Sequence, residues 1–153
     1  MKKIIIAIAA LCISSLAIAQ KNGHYGTSVG LKVYPAAVSL KHFIKDDAAI
    51  EILGYIWNKG TRITALYEIH KDLKVVDGLQ WYFGPGVHVG FYGTKYGGGT
   101  GIGIDGVLGL DYKFDNQPIN ISVDWQPAFE FGNYAGNGFS GNWGGIGIRY
   151  VLR

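Results

Sequence analysis

The chain is poor in cysteine, in net charge and in long apolar runs. Its single cysteine is Cys12, which lies in a segment that we expect to be removed, so the mature protein should carry no disulfide, reactive thiol or lipid anchor. Lys2 and Lys3 lie in the same segment, and without them the 14 basic residues fall to 12 against 11 acidic ones. Such a near-neutral chain lacks the basic field that nucleic-acid binding needs, and we expect no nucleic-acid partner.

The first 19 residues predict a secretory signal peptide. Their basic start is followed by an apolar run from Ile4 to Leu16, and Ala17 and Ala19 occupy the small-residue positions of a cleavage site before Gln20. We therefore expect an exported mature protein, residues 20–153, that forms one domain. After residue 19 no apolar run approaches the roughly 18 residues of a membrane-spanning helix.

Alternation of apolar and polar residues is the main signal in the mature chain. From Ile119 to Phe131 every odd position is apolar, and all but one of the even positions are polar. The same alternation occurs from Leu79 to Phe91, from Gly101 to Phe114 and after Gly145, and weaker versions occur at 27–34, 38–43, 49–57 and 61–70. A period of two residues indicates β-strands, so the sequence predicts about eight of them.

Glycine indicates which side of these strands faces inward. Gly103 and Gly109 share the parity of Asp105 and Asp111, opposite to the parity of the large apolar residues. Small residues belong inside a narrow barrel of about eight strands, where the walls crowd together. The apolar parity is therefore predicted to face outward, which in an exported chain favours a transmembrane β-barrel of the outer membrane. An aromatic-rich soluble sandwich is the alternative.

Outward-facing aromatic residues are expected near both rims of such a barrel, at the two membrane interfaces. One predicted girdle consists of Trp81, Phe83, Tyr112, Phe114 and Tyr150, and the other of Phe91, Phe129 and Phe131. If both termini lie in the periplasm, the two longest extracellular loops are 92–100 and 132–142. These loops are the expected contact surface for an extracellular ligand.

Three segments carry a resemblance to a known family. Gly109 to Phe114, Asp124 to Phe129 and Gly147 to Tyr150 resemble the last three strands of the small outer-membrane barrels of Gram-negative bacteria, the OmpA/OmpX-type. The resemblance implies an all-β fold, an eight-stranded antiparallel up-and-down transmembrane β-barrel, with outer-membrane lipids and the barrel-insertion machinery as partners. Proteins of this family usually end in an aromatic residue that the machinery recognises. This chain departs from the pattern and ends in Val151, Leu152 and Arg153, so Tyr150 is expected to serve instead.

The inward parity predicts a lumen filled by charges of both signs. Besides Lys32 and Lys41, the predicted lumen network consists of Glu51, Arg62, Glu68, His88, Asp105, Asp111, Lys113, Asp124, Glu130 and Arg149. Buried charges are costly unless paired, so these side chains should pair with one another, whereas a selective pore would show a ring of one sign. Folding adjacent strands into hairpins predicts Arg149 near Asp124 or Gln126, and His88 near Asp105.

Neither a catalytic site nor a metal or cofactor site is predicted. An Asp–His pair can provide a general base, but no serine is placed to complete a triad. No cluster has metal-ligand spacing, and the glycine run from Gly97 to Gly101 lacks the lysine and helix of a phosphate-binding loop. We expect a non-enzymatic outer-membrane barrel with a plugged, polar lumen. A narrow channel for small solutes or ions is the alternative, and a lipid A-modifying enzyme is a weaker one.

Overall fold

The computed structural model describes residues 26–132 and 137–152; the predicted signal peptide lies outside this part of the chain. Eight strands and one 3₁₀ helix occur in it: β1 (Thr27–Val33), β2 (Ala37–Lys45), β3 (Ala48–Trp57), β4 (Gly60–Asp72), β5 (Leu79–Tyr92), the 3₁₀ helix (Thr94–Tyr96), β6 (Gly99–Lys113), β7 (Ile119–Phe131) and β8 (Gly138–Leu152). β7 has the bounds that its alternation predicts.

The strands form a closed antiparallel barrel. Each strand pairs with its neighbours in sequence, and β1 closes the barrel by pairing with β8. The all-β, eight-stranded up-and-down architecture is therefore confirmed. We call the end of the barrel that carries connections 34–36, 58–59, 93–98 and 132–137 the upper end, and the end that carries 46–47, 73–78 and 114–118 the lower end.

In each strand the residues of the polar parity face the interior and those of the apolar parity face outward, as the sequence predicts. In β7, Asn120 and Gln126 are completely buried, whereas Ile121 and Trp125 are exposed. The buried charged side chains of the described residues come from seven of the eight strands, and the outward positions in the middle of each strand carry no charge. No helix in the described residues is long and apolar enough to cross a membrane.

Interior glycines of β6 make room for large side chains on the neighbouring strand, β5. A Cβ atom added to Gly103 would lie 2.3 Å from Cε1 of His88, and one added to Gly109 would lie 2.6 Å from Cζ of Tyr82. Both distances are far below van der Waals contact. The glycines of inward parity therefore fit the crowding expected inside a narrow barrel.

Two upper connections are shorter than the sequence predicts. β6 begins at Gly99 and β8 at Gly138, so the connections are 93–98 and 132–137 rather than 92–100 and 132–142. The glycine-rich stretch before Gly145 was expected to be loop. Gly138 and Gly144 instead adopt φ angles of 109° and 124°, which glycine tolerates, and the strand continues through them.

Candidate functional site

The lower part of the lumen is organised around Arg149 of β8. Its guanidinium forms an ion pair with Glu51 and donates from Nε to Oγ of Ser39 (2.7 Å), and from Nη1 to Oγ of Ser122 (2.7 Å) and Oδ1 of Asn120 (3.2 Å). These partners lie on β2, β3 and β7. One side chain thus connects four strands across the barrel.

The prediction that Arg149 lies near Asp124 or Gln126 is wrong. Arg149 is opposite Asn120 in the β7–β8 ladder, and Asp124 is opposite Gly145. Because β8 begins several residues earlier than expected, the turn is centred closer to β7. A register shift between Gln126 and Ala128, which alternation does not reveal, changes the pairing by one residue towards Asp124 and leaves most of the offset.

Asp124 is held in the middle of the lumen by other groups. It pairs with Nζ of Lys32 at 2.6 Å and accepts a hydrogen bond from the hydroxyl of Tyr82 at 2.6 Å. Gln126 donates to Asp124 (3.1 Å) and accepts from the hydroxyl of Tyr55 (2.9 Å). The two tyrosines therefore place their rings across the lumen and attach their hydroxyl groups to β7.

Lys41 connects two carboxylates beside this group. Its Nζ lies 2.7 Å from Oε2 of Glu68 and 3.4 Å from Oδ2 of Asp111, and it also lies 4.3 Å from the ring centre of Tyr82. His70 contacts the same oxygen of Glu68 through Nε2 at 3.0 Å and stacks on Tyr82 at 4.9 Å between ring centres. Charge pairing and aromatic packing thus occur together in the lower lumen.

An apolar layer of side chains lies in the lumen between its lower and upper polar groups. Leu53, Leu66 and Val107 are buried there and pack with Tyr55 and Tyr82. Leu53 and Leu66 lie on the inward parity of β3 and β4, where they interrupt the polar pattern. The interior of the barrel is therefore filled by side chains in this layer.

A second polar cluster lies near the upper end. His88 and Asp105, which the sequence predicts to be close, are 2.7 Å apart between Nδ1 and Oδ2, and Arg62 pairs with the other oxygen of Asp105. The hydroxyl of Tyr92 donates to both oxygens of Glu130, at 2.5 and 2.7 Å. We refer to Arg62, His88, Tyr92, Asp105 and Glu130 as the upper cluster.

Aromatic side chains cover the upper cluster at the mouth of the barrel. The ring of Trp57 packs edge-on against Trp143 (5.1 Å) and against Tyr92 (5.8 Å), and Tyr55 packs beneath Trp143. The guanidinium of Arg62 lies 4.0 Å from the ring centre of Trp143. Trp57 and Trp143 are not among the lumen residues that the sequence predicts, because alternation indicates charged residues inside and aromatic residues outside.

The structure places nine of the ten predicted lumen residues inside the barrel: Glu51, Arg62, Glu68, His88, Asp105, Asp111, Asp124, Glu130 and Arg149. Lys113 is the exception. It is half-buried at the lower end, where Nζ donates to the carbonyl oxygens of Phe114 and, at 2.9 Å, Gln117. Because Lys113 is the last residue of β6, its flexible side chain reaches the adjoining turn instead of the lumen.

The eight aromatic residues predicted to form girdles have outward parity. Strand pairing brings Trp81, Tyr112, Phe114 and Tyr150 to the lower part of the barrel, with Phe83 one step further along β5, and Phe91, Phe129 and Phe131 to the upper part. Trp81 stacks on Phe83 at 5.1 Å, and Phe129 packs against Phe131 at 5.1 Å. The outer surface therefore carries aromatic rings towards both ends of the barrel, and Phe83 and Trp125 lie between them, opposite Leu108.

Comparisons with protein-family models, curated proteins and solved structures found no significant match for this chain. Among the described residues, no group of three or more histidine, cysteine, aspartate or glutamate side chains is arranged to hold a metal ion.

Proposed function

We propose that the mature protein is a non-enzymatic barrel of the outer membrane, whose lumen is sealed and whose upper end is a contact surface. The arrangement of polarity carries this proposal: charged side chains fill the interior, and large apolar side chains cover the exterior. A water-soluble barrel has the reverse arrangement. In this proposal, outer-membrane lipids surround the chain and the barrel-insertion machinery folds it into them.

The apolar exterior is the surface that would face lipid. Leu31, Ile102 and Ile148 lie on three different strands and are 64%, 62% and 58% exposed. An apolar belt that continues around the barrel is much larger than the patches of ordinary soluble monomers. Most of the outward aromatic rings lie towards the two ends of that belt, where the two membrane interfaces would be.

Pairing and packing in the lumen support a sealed barrel over a channel. The four buried lysines and arginines of the described residues each contact a carboxylate. Between the lower and upper polar groups, Leu53, Leu66 and the rings of Tyr55 and Tyr82 occupy the interior. A conducting path would need continuous water, which this layer interrupts.

The upper end supports contact with other molecules rather than catalysis. Tyr34 and Phe139 are 85% and 71% exposed there, although they lie at the ends of strands rather than within the belt. In the described residues, Nε2 of His88 has no hydrogen-bond partner, so no serine is activated by this imidazole. A lipid A-modifying activity would need such a nucleophile and is not part of the proposal.

Cell fractionation and single-channel recording test the two halves of this proposal. Outer-membrane fractions should contain the protein, and the purified barrel should remain silent in planar lipid bilayers. Recovery in the soluble fraction would contradict the membrane assignment. Discrete openings of the wild-type barrel would favour the narrow channel instead.

A further inference from the structure

His70 of β4 lies where the lower lumen meets the lower end of the barrel. Its side chain is buried, and its ring stacks on Tyr82 of β5 and packs against Phe43 of β2 at 4.7 Å between ring centres. Both ring nitrogens contact oxygen atoms: Nδ1 lies 3.1 Å from Oε1 of Gln80, and Nε2 lies 3.0 Å from Oε2 of Glu68. Whether these two oxygens donate or accept determines how many protons the imidazole carries.

Gln80 presents an acceptor to Nδ1 of His70. The amide nitrogen of Gln80 donates to Oδ1 of Asp72 at 2.7 Å, and an ionised carboxylate can only accept. The orientation of the amide is therefore fixed, and its oxygen is the atom that faces His70. Nδ1 must carry a proton to complete this hydrogen bond.

Glu68 presents an acceptor to the other ring nitrogen. Its Oε2 lies 2.7 Å from Nζ of Lys41, an ammonium group that can only donate. The same ionised oxygen attracts Nε2 of His70 only if Nε2 also carries a proton. A proton shared by the two groups stays on the ring, because imidazole is a stronger base than a carboxylate. Hydrogen bonding therefore assigns two ring protons and a positive charge to His70.

The charges of the lower lumen lead to the same protonation state. Contacts link two cations and three carboxylates on five strands: Lys41 of β2, Glu51 of β3, Glu68 of β4, Asp111 of β6 and Arg149 of β8. The neighbouring pair of Lys32 and Asp124 is neutral, and the hydroxyl of Tyr82 donates to Asp124. Unbalanced charge is costly in a buried site, and the linked groups lack one positive charge. An imidazolium at His70, in contact with Glu68, supplies it.

We propose that His70 is a buried imidazolium whose second proton is a pH-sensitive switch of the lower lumen. Its contacts run from the exposed Asp72 through Gln80 and the ring to Glu68, which connects the lower end with the interior. Loss of the proton leaves two acceptors, Nε2 and Oε2, facing each other, and it leaves the linked groups with an excess negative charge. The stabilisation is therefore present at low pH and is lost as the pH rises.

Nitrogen NMR of the isotopically labelled, folded chain in detergent micelles counts the ring protons. At neutral pH both ring nitrogens of His70 should show the chemical shifts of protonated nitrogen, and these signals should be absent from His70→Gln. His42 is the internal control, because its Nδ1 lies 2.8 Å from the hydroxyl of Thr27, which can donate to a neutral ring. As the pH is raised, His42 should lose its extra proton before His70 does.

The alternative position for the proton is between two carboxyl groups. Oε2 of Glu51 and Oε1 of Glu68 are buried and have no hydrogen-bond partner in the part of the chain that the structure describes. A neutral His70 at neutral pH, with the proton held between these two residues, would overturn the proposal.

Glu68→Gln tests whether the carboxylate holds the second proton on the ring. The glutamine keeps the size of the side chain, its oxygen can still accept from Lys41, and its amide nitrogen can donate to Nε2 of His70. His70 should therefore be neutral at neutral pH in this variant. Asp77→Asn is the control, because it removes an exposed carboxylate of the lower end and should leave His70 protonated. An imidazolium that persists in Glu68→Gln would contradict the proposal.

Hydrogen exchange measures the effect of the switch on the barrel. The amides of His70 and Leu73 donate to carbonyl oxygens at the lower end, at 2.8 and 2.9 Å. Their protection factors should fall by about tenfold or more as His70 loses its second proton, because a hydrogen bond to a charged group is lost. The amide of Ile56, which donates to Ala36 at the upper end, should keep its protection.

His70→Gln separates the switch from other effects of pH. Without the imidazolium, the amides at positions 70 and 73 should be weakly protected at every pH and show no step. A wild type in which deprotonation of His70 leaves their protection unchanged would show that the proton is not a switch. Both measurements follow the lumen in micelles, so their outcome is independent of cell fractionation and conductance.

Discussion

Arg149 is buried in the lumen, where it forms an ion pair with Glu51. The effects of substituting these two residues on the free energy of unfolding should therefore be strongly coupled. We predict that Glu51→Leu lowers the free energy of unfolding by about 3–5 kcal/mol, because it removes the closely paired carboxylate of a buried guanidinium whose next carboxylate, that of Asp111, is 4.0 Å from Nη1. Adding Arg149→Met should recover part of this loss, since both charges are then absent. Urea unfolding in micelles, followed by tryptophan fluorescence, gives the four free energies of the cycle.

Asp47 and Lys71 provide the matched control for that cycle. Their charged atoms are 3.6 Å apart, but both side chains are more than half exposed at the lower end. Exposed pairs contribute about 0–1 kcal/mol, so the Asp47→Ala and Lys71→Ala cycle should be nearly additive. If the Glu51–Arg149 cycle were equally additive, the buried ion pair would not be formed.

The close approach of His88 to β6 makes Gly103 sensitive to substitution. A Cβ atom at this position would lie 2.4 Å from the carbonyl oxygen of Phe129 as well as against the imidazole. We expect Gly103→Ala to cost about 1–3 kcal/mol of unfolding free energy through overpacking. Gly54 has no atom within 4 Å of the corresponding position, so Gly54→Ala should be neutral or stabilising by up to about 1 kcal/mol. Equal losses in both variants would contradict the interior packing.

At the scale of the strand, the cost of placing a charge on the outward face of β6 shows whether that face lies in lipid or in water. Leu108 lies in the middle of the apolar belt and is 51% exposed. In lipid, Leu108→Arg should cost about 2–4 kcal/mol, whereas the same change on a surface in water typically costs less than about 0.5 kcal/mol. Unfolding of the barrel in lipid vesicles measures the difference.

Thr61 is the control for this substitution. It also faces outward, but it lies at the upper end of β4, one residue after the strand begins. Charged residues near a membrane interface cost about 0–1 kcal/mol, so Thr61→Arg should be tolerated. A loss at Thr61 as large as the loss at Leu108 would mean that the cost does not depend on depth, and the lipid assignment would fail.

The sequence predicts strands and their faces well, and strand register poorly. Alternation gave the bounds of β7 because burial on one face imposes the period of two on every residue from Ile119 to Phe131. Register depends on where the turn begins and on local irregularities. Gly138 and Gly144, with their positive φ angles, extended β8 where a loop was expected, and so Arg149 moved away from Asp124.

The composition of the lumen was only partly predictable for a similar reason. Charged residues on the inward parity predict polar contacts in the lumen. Several partners of the residues on β7 and β8, however, lie on β1, β2 and β3, and hairpin geometry does not predict contacts between those strands. Tyr55, Tyr82 and Trp143 have no charge to indicate their role. They fill space with their rings: Tyr55 packs against Trp143, and Tyr82 occupies the space beside Gly109.

For the whole molecule, the proposed seal of the lumen would depend on two buried tyrosines. Tyr55 and Tyr82 place their rings across the interior and attach their hydroxyl groups to Gln126 and Asp124. Replacing both with alanine removes two rings from the apolar layer and leaves polar groups on the facing wall, which water can solvate. We therefore predict that the Tyr55→Ala, Tyr82→Ala variant shows discrete openings in planar bilayers, whereas the wild type is silent.

Tyr67 and Tyr112 give the matched control, because they are tyrosines on the outward face. The Tyr67→Ala, Tyr112→Ala variant loses the same number of atoms but leaves the lumen unchanged, and it should remain silent. Circular dichroism must show that both variants keep the barrel. Openings in the outward-face variant would indicate leakage around the protein, and a folded but silent lumen variant would place the seal elsewhere, in the paired charges above or below the tyrosine layer.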